Sequence, residues 1–258
     1  MEDRAQDTPA AGVEVTERGN IYFFYRPAVG AAGEDGPHGL VDVQRFHLVL
    51  SPKGRDTLRV ITIGKKRLPE PRDSGQRFWG YVERVADDPD AIVEELEGGR
   101  EEGRTWLPAR PAGEGVYAIA CHGNHTHLLY ALELPEEPDE VQRELHIGKE
   151  GSYLLSVKNP QASSPPSVGL DEEKKAEFPG ELQELFGGRR FIACEPPSFL
   201  DHEGAELLLM GSADDPGEDL GIDLDPEHET EATADLFQEL QMERQRHPVE
   251  PLLAGKWA

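Results

Sequence analysis

Apolar and polar positions follow their clearest pattern between residues 115 and 134. Two β-favouring runs there flank Gly123-Asn124, a pair suited to a two-residue type II′ turn, in which glycine comes first. Such a turn fixes the register of the two strands. The facing pairs are then Ala120 with His127, Cys121 with Thr126, and His122 with His125. The pattern therefore predicts a tight antiparallel hairpin.

This hairpin has two different faces, because side chains alternate along a strand. One face is mostly large and apolar, and we predict that it belongs to the core: Tyr117, Ile119, Cys121, Thr126, Leu128, Tyr130 and Leu132. The other face combines small residues with three imidazoles near the turn: Ala118, Ala120, His122, His125, His127, Leu129 and Ala131. The small alanines are expected to leave room around the histidines.

Further short apolar runs, bounded by turn residues, predict more strands. They cover residues 21–25, 46–50, 58–63, 78–82, 153–157, 191–194 and 206–210. Helix signals are fewer, and the best is Asp88-Pro89, a cap followed by a proline. Short helices are also expected after Asp171 and Pro179, and residues 98–114 read as a connector. We therefore predict an α+β, β-rich fold: a mostly antiparallel sheet built from hairpins, with a few short helices.

The composition divides the chain into regions. Residues 1–18 are polar and acidic and predict a disordered N-terminus. Residues 19–210 predict one β-rich domain, with two halves, 19–97 and 112–210, as the alternative. Residues 211–224 resemble an acidic linker. The cap and proline at Asp225-Pro226 then predict an amphipathic helix to about residue 246, within an acidic C-terminal tail, 225–258.

The tail carries apolar residues that a solvated segment does not need. They are Leu236, Phe237, Leu240, Leu252, Leu253 and Trp257. Since an amphipathic helix can dock into a groove on a partner, these side chains are candidates for contact with another protein. The alternative is that the helix covers an exposed face of its own sheet.

The net charge of the chain argues against some classes of function. The chain has 51 acidic and 26 basic residues, a formal net charge of −25. This excess argues against general binding of nucleic acids or anionic membranes, because the long-range field repels polyanions.

Residues 45–84 nevertheless form a basic island, in which ten cations and four acids give +6. We take its candidate anion-binding residues to be Lys53, Arg55, Lys65, Lys66 and Arg67. Near Tyr25, Trp79 and Tyr81 they could hold a nucleotide or RNA by stacking. The alternatives are a strand edge guarded by cations, or a contact with the acidic tail.

The three clustered histidines are the other candidate site. His122, His125 and His127 could give zinc or a similar divalent metal three nitrogen ligands and leave one position for water, as hydrolases do. An exposed polar hairpin tip explains the same residues without a metal, and no other cofactor is expected. The chain lacks a glycine-rich phosphate loop, a Gly-x-Ser-x-Gly motif and paired-cysteine zinc spacing.

These observations favour a cytoplasmic, non-enzymatic binding or accessory protein that contacts a protein partner through residues 225–258. Cys121 and Cys194 lie in apolar runs and predict buried reduced thiols. No run suits a membrane span, and residues 1–7 lack the apolar stretch of a signal peptide. One alternative is a zinc-type hydrolase using the three histidines. Another is a nucleotide- or RNA-binding module on the basic island, 45–84.

Overall fold

Eight antiparallel strands close into a barrel. The computed structural model describes residues 10–31, 36–101, 104–165, 168–226, 229–230, 233–242 and 247–258. Its strands are β1 (Val13–Pro27), β2 (Val43–Pro52), β3 (Leu58–Ile63), β4 (Phe78–Ala86), β5 (Gly99–Glu101), β6 (Arg104–Trp106), β7 (Arg110–His122), β8 (His125–Leu134), β9 (Glu150–Lys158), β10 (Phe191–Ala193) and β11 (Glu206–Ala213). Its helices are α1 (Pro89–Leu96), α2 (Glu140–Leu145), α3 (Gly180–Leu185), α4 (Pro216–Leu220), α5 (Asp235–Glu239) and α6 (Glu250–Ala254).

Around the barrel the order is β9-β11-β4-β3-β2-β1-β7-β8, and β8 pairs again with β9. Strand β10 adds to the far end of β9, and β5 pairs only with β6. The predicted β-rich, antiparallel arrangement with few short helices is confirmed. Closure into a barrel was not predicted, since it depends on the pairing of strands that are distant in sequence.

The hairpin of β7 and β8 has the predicted register. His122 faces His125, and Gly123 has a φ of 60°, as the first residue of a type II′ turn requires. The predicted core face points into the barrel, where Tyr117, Ile119 and Leu128 are buried.

Aromatic and aliphatic side chains fill the barrel interior, as alternation along each strand requires. Phe23 packs edge-on against Tyr130, with ring centroids 5.0 Å apart, and stacks with Phe46 at 6.5 Å. Tyr130 in turn stacks with Tyr153 at 6.2 Å. The interior is therefore a packed hydrophobic core.

Arg59 lies fully buried at one end of this core. Its Nη1 donates to Glu17 Oε1 over 2.6 Å, and its Nε donates to Asp201 Oδ1 over 2.8 Å. The Tyr117 hydroxyl also donates to Glu17 Oε1, over 2.8 Å. Two carboxylates thus compensate the guanidinium for its loss of water.

Other segments cover the outside of the barrel in two places. One apolar cluster joins the outer side chains of β1, β2 and β3 to α1, α5 and α6. A second joins the alanine-rich outer face of β7 and β8 to Leu220, Ile222 and Leu224. The space that the small alanines leave is thus filled by the C-terminal part of the chain.

The structure differs from the sequence-based regions at both ends of the barrel domain. Residues 13–18, predicted to be disordered, form the start of β1 because they pair with β7, where Val13 faces His122. Residues 211–224, predicted to be a linker, contain the end of β11, helix α4 and the buried residues that cover the second outer face. Residues 98–114, predicted to be a connector, contain β5, β6 and the start of β7.

The long helix predicted from residue 225 to about 246 is wrong for the described residues. Helix α5 spans only Asp235–Glu239, and a separate helix α6 follows. One reason is local. The Thr233 hydroxyl accepts a hydrogen bond from the Thr230 amide over 2.9 Å, and such a bond competes with the backbone hydrogen bonds of a helix. Residues 227–228, 231–232 and 243–246 lie outside the described residues. After Asp171 there is only a 3₁₀ turn, at Glu172–Lys174.

Where the chain is described, no helix has the length and apolar character needed to span a membrane. Both cysteines are free thiols, and Cys194 is buried while Cys121 is partly exposed.

Replacing Leu236 by Ala tests whether the C-terminal segment is part of the core. Leu236 is fully buried, whereas Leu185 in α3 is 44% exposed. We expect Leu236→Ala to lower the free energy of unfolding by about 2–5 kcal/mol, because it empties a buried position. Leu185→Ala should change it by less than about 0.5 kcal/mol. Chemical denaturation measures both, and equally small effects would mean that the segment contributes little to the core.

Candidate functional site

The structure divides the five candidate anion-binding residues between two places. Lys53 and Arg55 precede β3, and Lys65, Lys66 and Arg67 follow it. A six-residue strand separates the groups by about 20 Å, so they cannot converge on one ligand. Arg55 is moreover paired with Asp201, and Lys66 Nζ donates to a backbone carbonyl of β2 over 2.5 Å.

One of these residues lines a cavity of about 320 Å³ on the outside of the barrel. The cavity lies between β4, the start of β11, the turn after β3 and the loop at residues 168–170. Its lining consists of Gly64, Lys65, Arg77, Trp79, Gly80, Tyr81, Val168, Gly169, Leu170 and Glu206. Two cations, two aromatic rings and one carboxylate are thus brought together.

The alternation of β4 explains why the two rings point outward. Val82 is in the interior core, so Trp79 and Tyr81 belong to the opposite face. Gly80 is needed between them, because a Cβ at this position would lie 2.9 Å from the Thr62 carbonyl oxygen. Trp79 packs edge-on against Phe191, with ring centroids 5.5 Å apart, which fixes the aromatic wall.

Glu206 and Lys158 form a buried ion pair beside the cavity. Glu206 is 3% exposed, and its Oε2 accepts a hydrogen bond from Lys158 Nζ over 2.5 Å. Its Oε1 accepts a hydrogen bond from the Leu170 amide over 3.1 Å. Both carboxylate oxygens are therefore engaged, and they hold the loop at residue 170 in place.

The two cations are differently placed. Lys65 and Arg77 are exposed, and neither has a carboxylate within ion-pair distance in the described part of the chain. They therefore give this cavity a positive rim on a protein that is strongly negative elsewhere.

A polar network lies behind Tyr81. Its hydroxyl is 3.5 Å from Glu83 Oε1, and Glu83 also contacts His47, Thr62 and Arg45. Burial alone would raise the pKa of Glu83, but the bond to His47 and the neighbouring arginine and threonine bring that pKa down to about 2. Burial lowers the pKa of His47, whose ring is fully enclosed. An ionised Glu83 thus lies beside the Tyr81 hydroxyl.

The sequence-based candidates include part of the lining of this cavity. Sequence reasoning named Lys65 as a candidate and Trp79 and Tyr81 as stacking partners. It counted Arg77 in the basic island but did not choose it as a candidate, although Arg77 directly precedes β4 and continues the alternation of Trp79 and Tyr81, which is a usable signal. It also missed Glu206 and the loop at 168–170, for which no local pattern exists. Tyr25 is not part of the site, since it packs inside the barrel against Trp257 at 5.0 Å.

The three histidines lie on one face at the tip of the hairpin, as predicted. His122 and His125 are exposed, whereas His127 is buried. Its Nδ1 lies 3.3 Å from Ser152 Oγ and 3.7 Å from Asp219 Oδ2. Burial lowers the pKa of His127, while Asp219 acts in the opposite direction. Among the described residues, no group of three or more His, Cys, Asp or Glu side chains is arranged to hold a metal ion; zinc binding stays a prediction.

The candidate partner-binding residues pack on the barrel. Leu236, Leu240 and Leu252 are fully buried, while Phe237 and Leu253 are partly buried in the same cluster. The structure thus has the alternative arrangement, in which the segment covers its own sheet. Contact with a partner through these side chains stays a prediction and would require the segment to leave the barrel.

Hydrogen bonds also hold the C-terminal segment on the barrel. The Tyr22 hydroxyl donates to Glu239 over 2.7 Å, and Asn20 Nδ2 donates to Asp235 over 2.8 Å. A cleft of about 650 Å³ separates this segment from the basic turn before β3, with Lys53 on one side and Glu229 on the other. Residues of both groups thus line one cleft, and a contact between the tail and the basic island stays a prediction.

Glu114 is buried where the segment meets the barrel. Its Oε2 accepts a hydrogen bond from the Leu236 amide over 3.2 Å. Burial, followed by the adjacent carboxyl groups of Glu229 and Asp235, raises the pKa of Glu114 to about 9. Glu114 is therefore protonated at neutral pH.

Exchanging Glu206 for Gln tests the buried ion pair. The change keeps the shape but leaves the Lys158 charge without its counter-ion, so we expect a loss of about 3–5 kcal/mol in the free energy of unfolding. Glu203→Gln is the matched control, because Glu203 pairs with Arg84 over 3.4 Å with both side chains exposed. There we expect a loss of about 0–1 kcal/mol. Similar losses in urea denaturation would contradict the buried pairing.

The raised pKa of Glu114 predicts that stability falls as pH rises. In the unfolded chain its pKa is about 4.3, so between about pH 4.3 and pH 9 only the folded state keeps the proton. The contribution is complete below the lower value and is lost as pH rises through the upper one. Glu114→Gln, which is always neutral, should flatten the decline of the thermal midpoint between about pH 5 and pH 9. An unchanged slope would show that Glu114 is ionised in the folded protein.

No protein-family model, curated protein or solved structure matches this chain.

Proposed function

We propose that this protein binds a small ligand that combines a planar ring with an anionic group, as a mononucleotide does. The observation that carries the proposal is the cavity of about 320 Å³ in which Lys65 and Arg77 lie beside Trp79 and Tyr81. The rings offer a surface for stacking, and the cations offer a site for phosphate or carboxylate. Neither cation is engaged by a carboxylate among the described residues, so both are available.

Size and charge favour a small ligand over a long nucleic acid. Pockets for small molecules have volumes of about 300–1,000 Å³, and this cavity is at the lower end. At physiological ionic strength the field of two cations reaches only about 8 Å. An extended polyanion would also have to approach the acidic surface around the cavity, which repels it at close range. A ligand with a single ring and one phosphate can therefore bind where an extended nucleic-acid strand would be repelled.

The chemistry of the lining favours binding rather than reaction. Both oxygens of Glu206 already accept hydrogen bonds, one from the Leu170 amide and the other from the charged Nζ of Lys158. The described lining contains no serine, cysteine or histidine. The role proposed is that of a binding protein, in keeping with the non-enzymatic function expected from the sequence.

Calorimetric titration with AMP, adenosine and ribose 5-phosphate tests this proposal. We expect AMP to bind more tightly than either fragment, because it alone uses the rings and the cations together. Arg77→Glu and Trp79→Leu should each weaken AMP binding by about tenfold or more, since stacking and a charged contact each contribute about 1–3 kcal/mol.

Lys53→Glu is the matched control, because Lys53 belongs to the same basic island but lies at the opposite end of β3. It makes the same change in net charge as Lys65→Glu. We expect Lys65→Glu to weaken AMP binding and Lys53→Glu to leave it nearly unchanged. Equal effects of the two changes would mean that the net charge, and not this cavity, determines binding.

A further inference from the structure

The α5 segment, residues 233–242, is attached to the barrel on both sides. Before it in the chain, Leu224 packs on the outer face of β7 and β8. After it, α6 is held by a buried hydrogen bond of 2.8 Å from Gln142 Nε2 to the Pro251 carbonyl oxygen. The α5 segment can therefore leave the barrel surface while both of its flanks stay in place.

Two carboxyl groups meet at the start of α5, where they bind consecutive backbone amides. The Asp235 amide donates to Glu229 Oε2 over 3.2 Å, and the Leu236 amide donates to Glu114 Oε2 over 3.2 Å. Glu229 precedes the α5 segment in the chain, whereas Glu114 belongs to β7 and is 1% exposed. The geometry thus places a buried acidic side chain of the barrel beside an acidic side chain of the chain that covers it.

The surrounding groups do not compensate a second negative charge at this contact. The residues opposite Glu114 are Tyr22 on β1 and the apolar Leu134 on β8. Burial, followed by Glu239, raises the pKa of Tyr22 well above its usual value, so the phenol stays neutral. In the described part of the chain, no cation forms an ion pair with Glu114. The charged groups that line the neighbouring cleft are Arg18, Lys53, Arg55, Glu133, Asp225, Glu229, Asp235 and Glu239.

We propose that the α5 segment is a proton-dependent strap, which covers the barrel while Glu114 is protonated and opens locally when Glu114 ionises. Two adjacent carboxyl groups that are shielded from water cannot both carry a charge without a large cost, so closure requires a proton. In the open arrangement Glu114 faces water, and its carboxyl group can ionise freely. Proton release and opening of the strap are therefore one coupled step.

The direction of the pH dependence follows from the two states of Glu114. Its pKa is about 9 in the closed arrangement and about 4.3 when it is exposed to water. Between these values, opening releases one proton, so the equilibrium constant for opening rises tenfold per pH unit. The stabilisation of the closed strap is complete below the lower value and is lost as pH rises through the upper one.

Opening would uncover apolar side chains that are otherwise buried. Leu236 and Leu240 are fully enclosed in the closed arrangement. Both are among the side chains that the sequence predicts for contact with a protein partner. The strap thus supplies the release from the barrel that such a contact requires. It shares no residue with the cavity between β4 and β11, so the two proposals are independent.

Hydrogen exchange of the full-length protein, followed by mass spectrometry, tests the proposal between about pH 6 and pH 8. After correction for the chemical exchange rate, the protection of residues 233–242 should fall roughly tenfold per pH unit. Residues 153–157 of β9 and 250–254 of α6 should keep their protection. An equal decline in β9 or α6 would mean a larger unfolding instead of a local opening. No decline in residues 233–242 would refute the proton-dependent contact.

Three variants assign the proton. Glu114→Gln keeps an acceptor for the Leu236 amide but cannot ionise, so the protection of residues 233–242 should no longer depend on pH. Glu203→Gln is the matched control, because it makes the same change in charge at an exposed pair with Arg84 and should keep the decline. The decline of the unmodified protein in a folded Glu114→Gln variant would overturn the proposal.

Thermal midpoints identify a Glu114→Gln protein that has not folded, in which case Glu229→Gln decides. This change removes the neighbouring charge and so lowers the pKa of Glu114, which should make the decline of protection with pH shallower. An unchanged decline in Glu229→Gln would contradict the coupling of the two carboxyl groups.

Discussion

The pairing of β8 with β9 is the interaction on which the rest of this structure depends. It joins Ala131 to Glu150 and His127 to Leu154, and so closes eight strands into a ring. Closure removes the two free edges that an open sheet would expose. It also sorts every alternate side chain into an interior or an exterior set. The large residues then form one core, and the outward residues become available for covering segments and for binding.

The filled interior decides where a ligand can bind. Barrels of eight strands have room either for side chains or for one small ligand. Here Phe23, Phe46, Tyr130 and Tyr153 occupy the interior. The cavity proposed as a binding site is consequently outside the barrel, where the loop at residues 168–170 forms one wall.

Buried charged groups are compensated or neutralised, whereas the excess of negative charge lies at the surface. Buried cations are compensated in two ways. Arg59 pairs with Glu17 and Asp201 and Lys158 pairs with Glu206, whereas Arg26 donates to the backbone carbonyls of residues 95, 97 and 107. A buried carboxyl group without a cation, Glu114, keeps its proton instead. Either arrangement avoids an uncompensated buried charge, which would be costly in a low-dielectric environment. The acidic excess is therefore left to the surface.

The sequence by itself determined the elements whose causes are local. The turn at Gly123-Asn124 and the period of two around it set the register and the faces of the hairpin, and Asp88-Pro89 marked the start of α1. Only the tertiary structure decided which distant segments meet. The outer alanines of β7 and β8 are covered by Leu220, Ile222 and Leu224, and Arg77 and Glu206 line one cavity, although nothing in their own neighbourhoods encodes this. The physical reason is that local patterns fix the period and the turns, whereas pairing between distant strands depends on how the whole barrel closes.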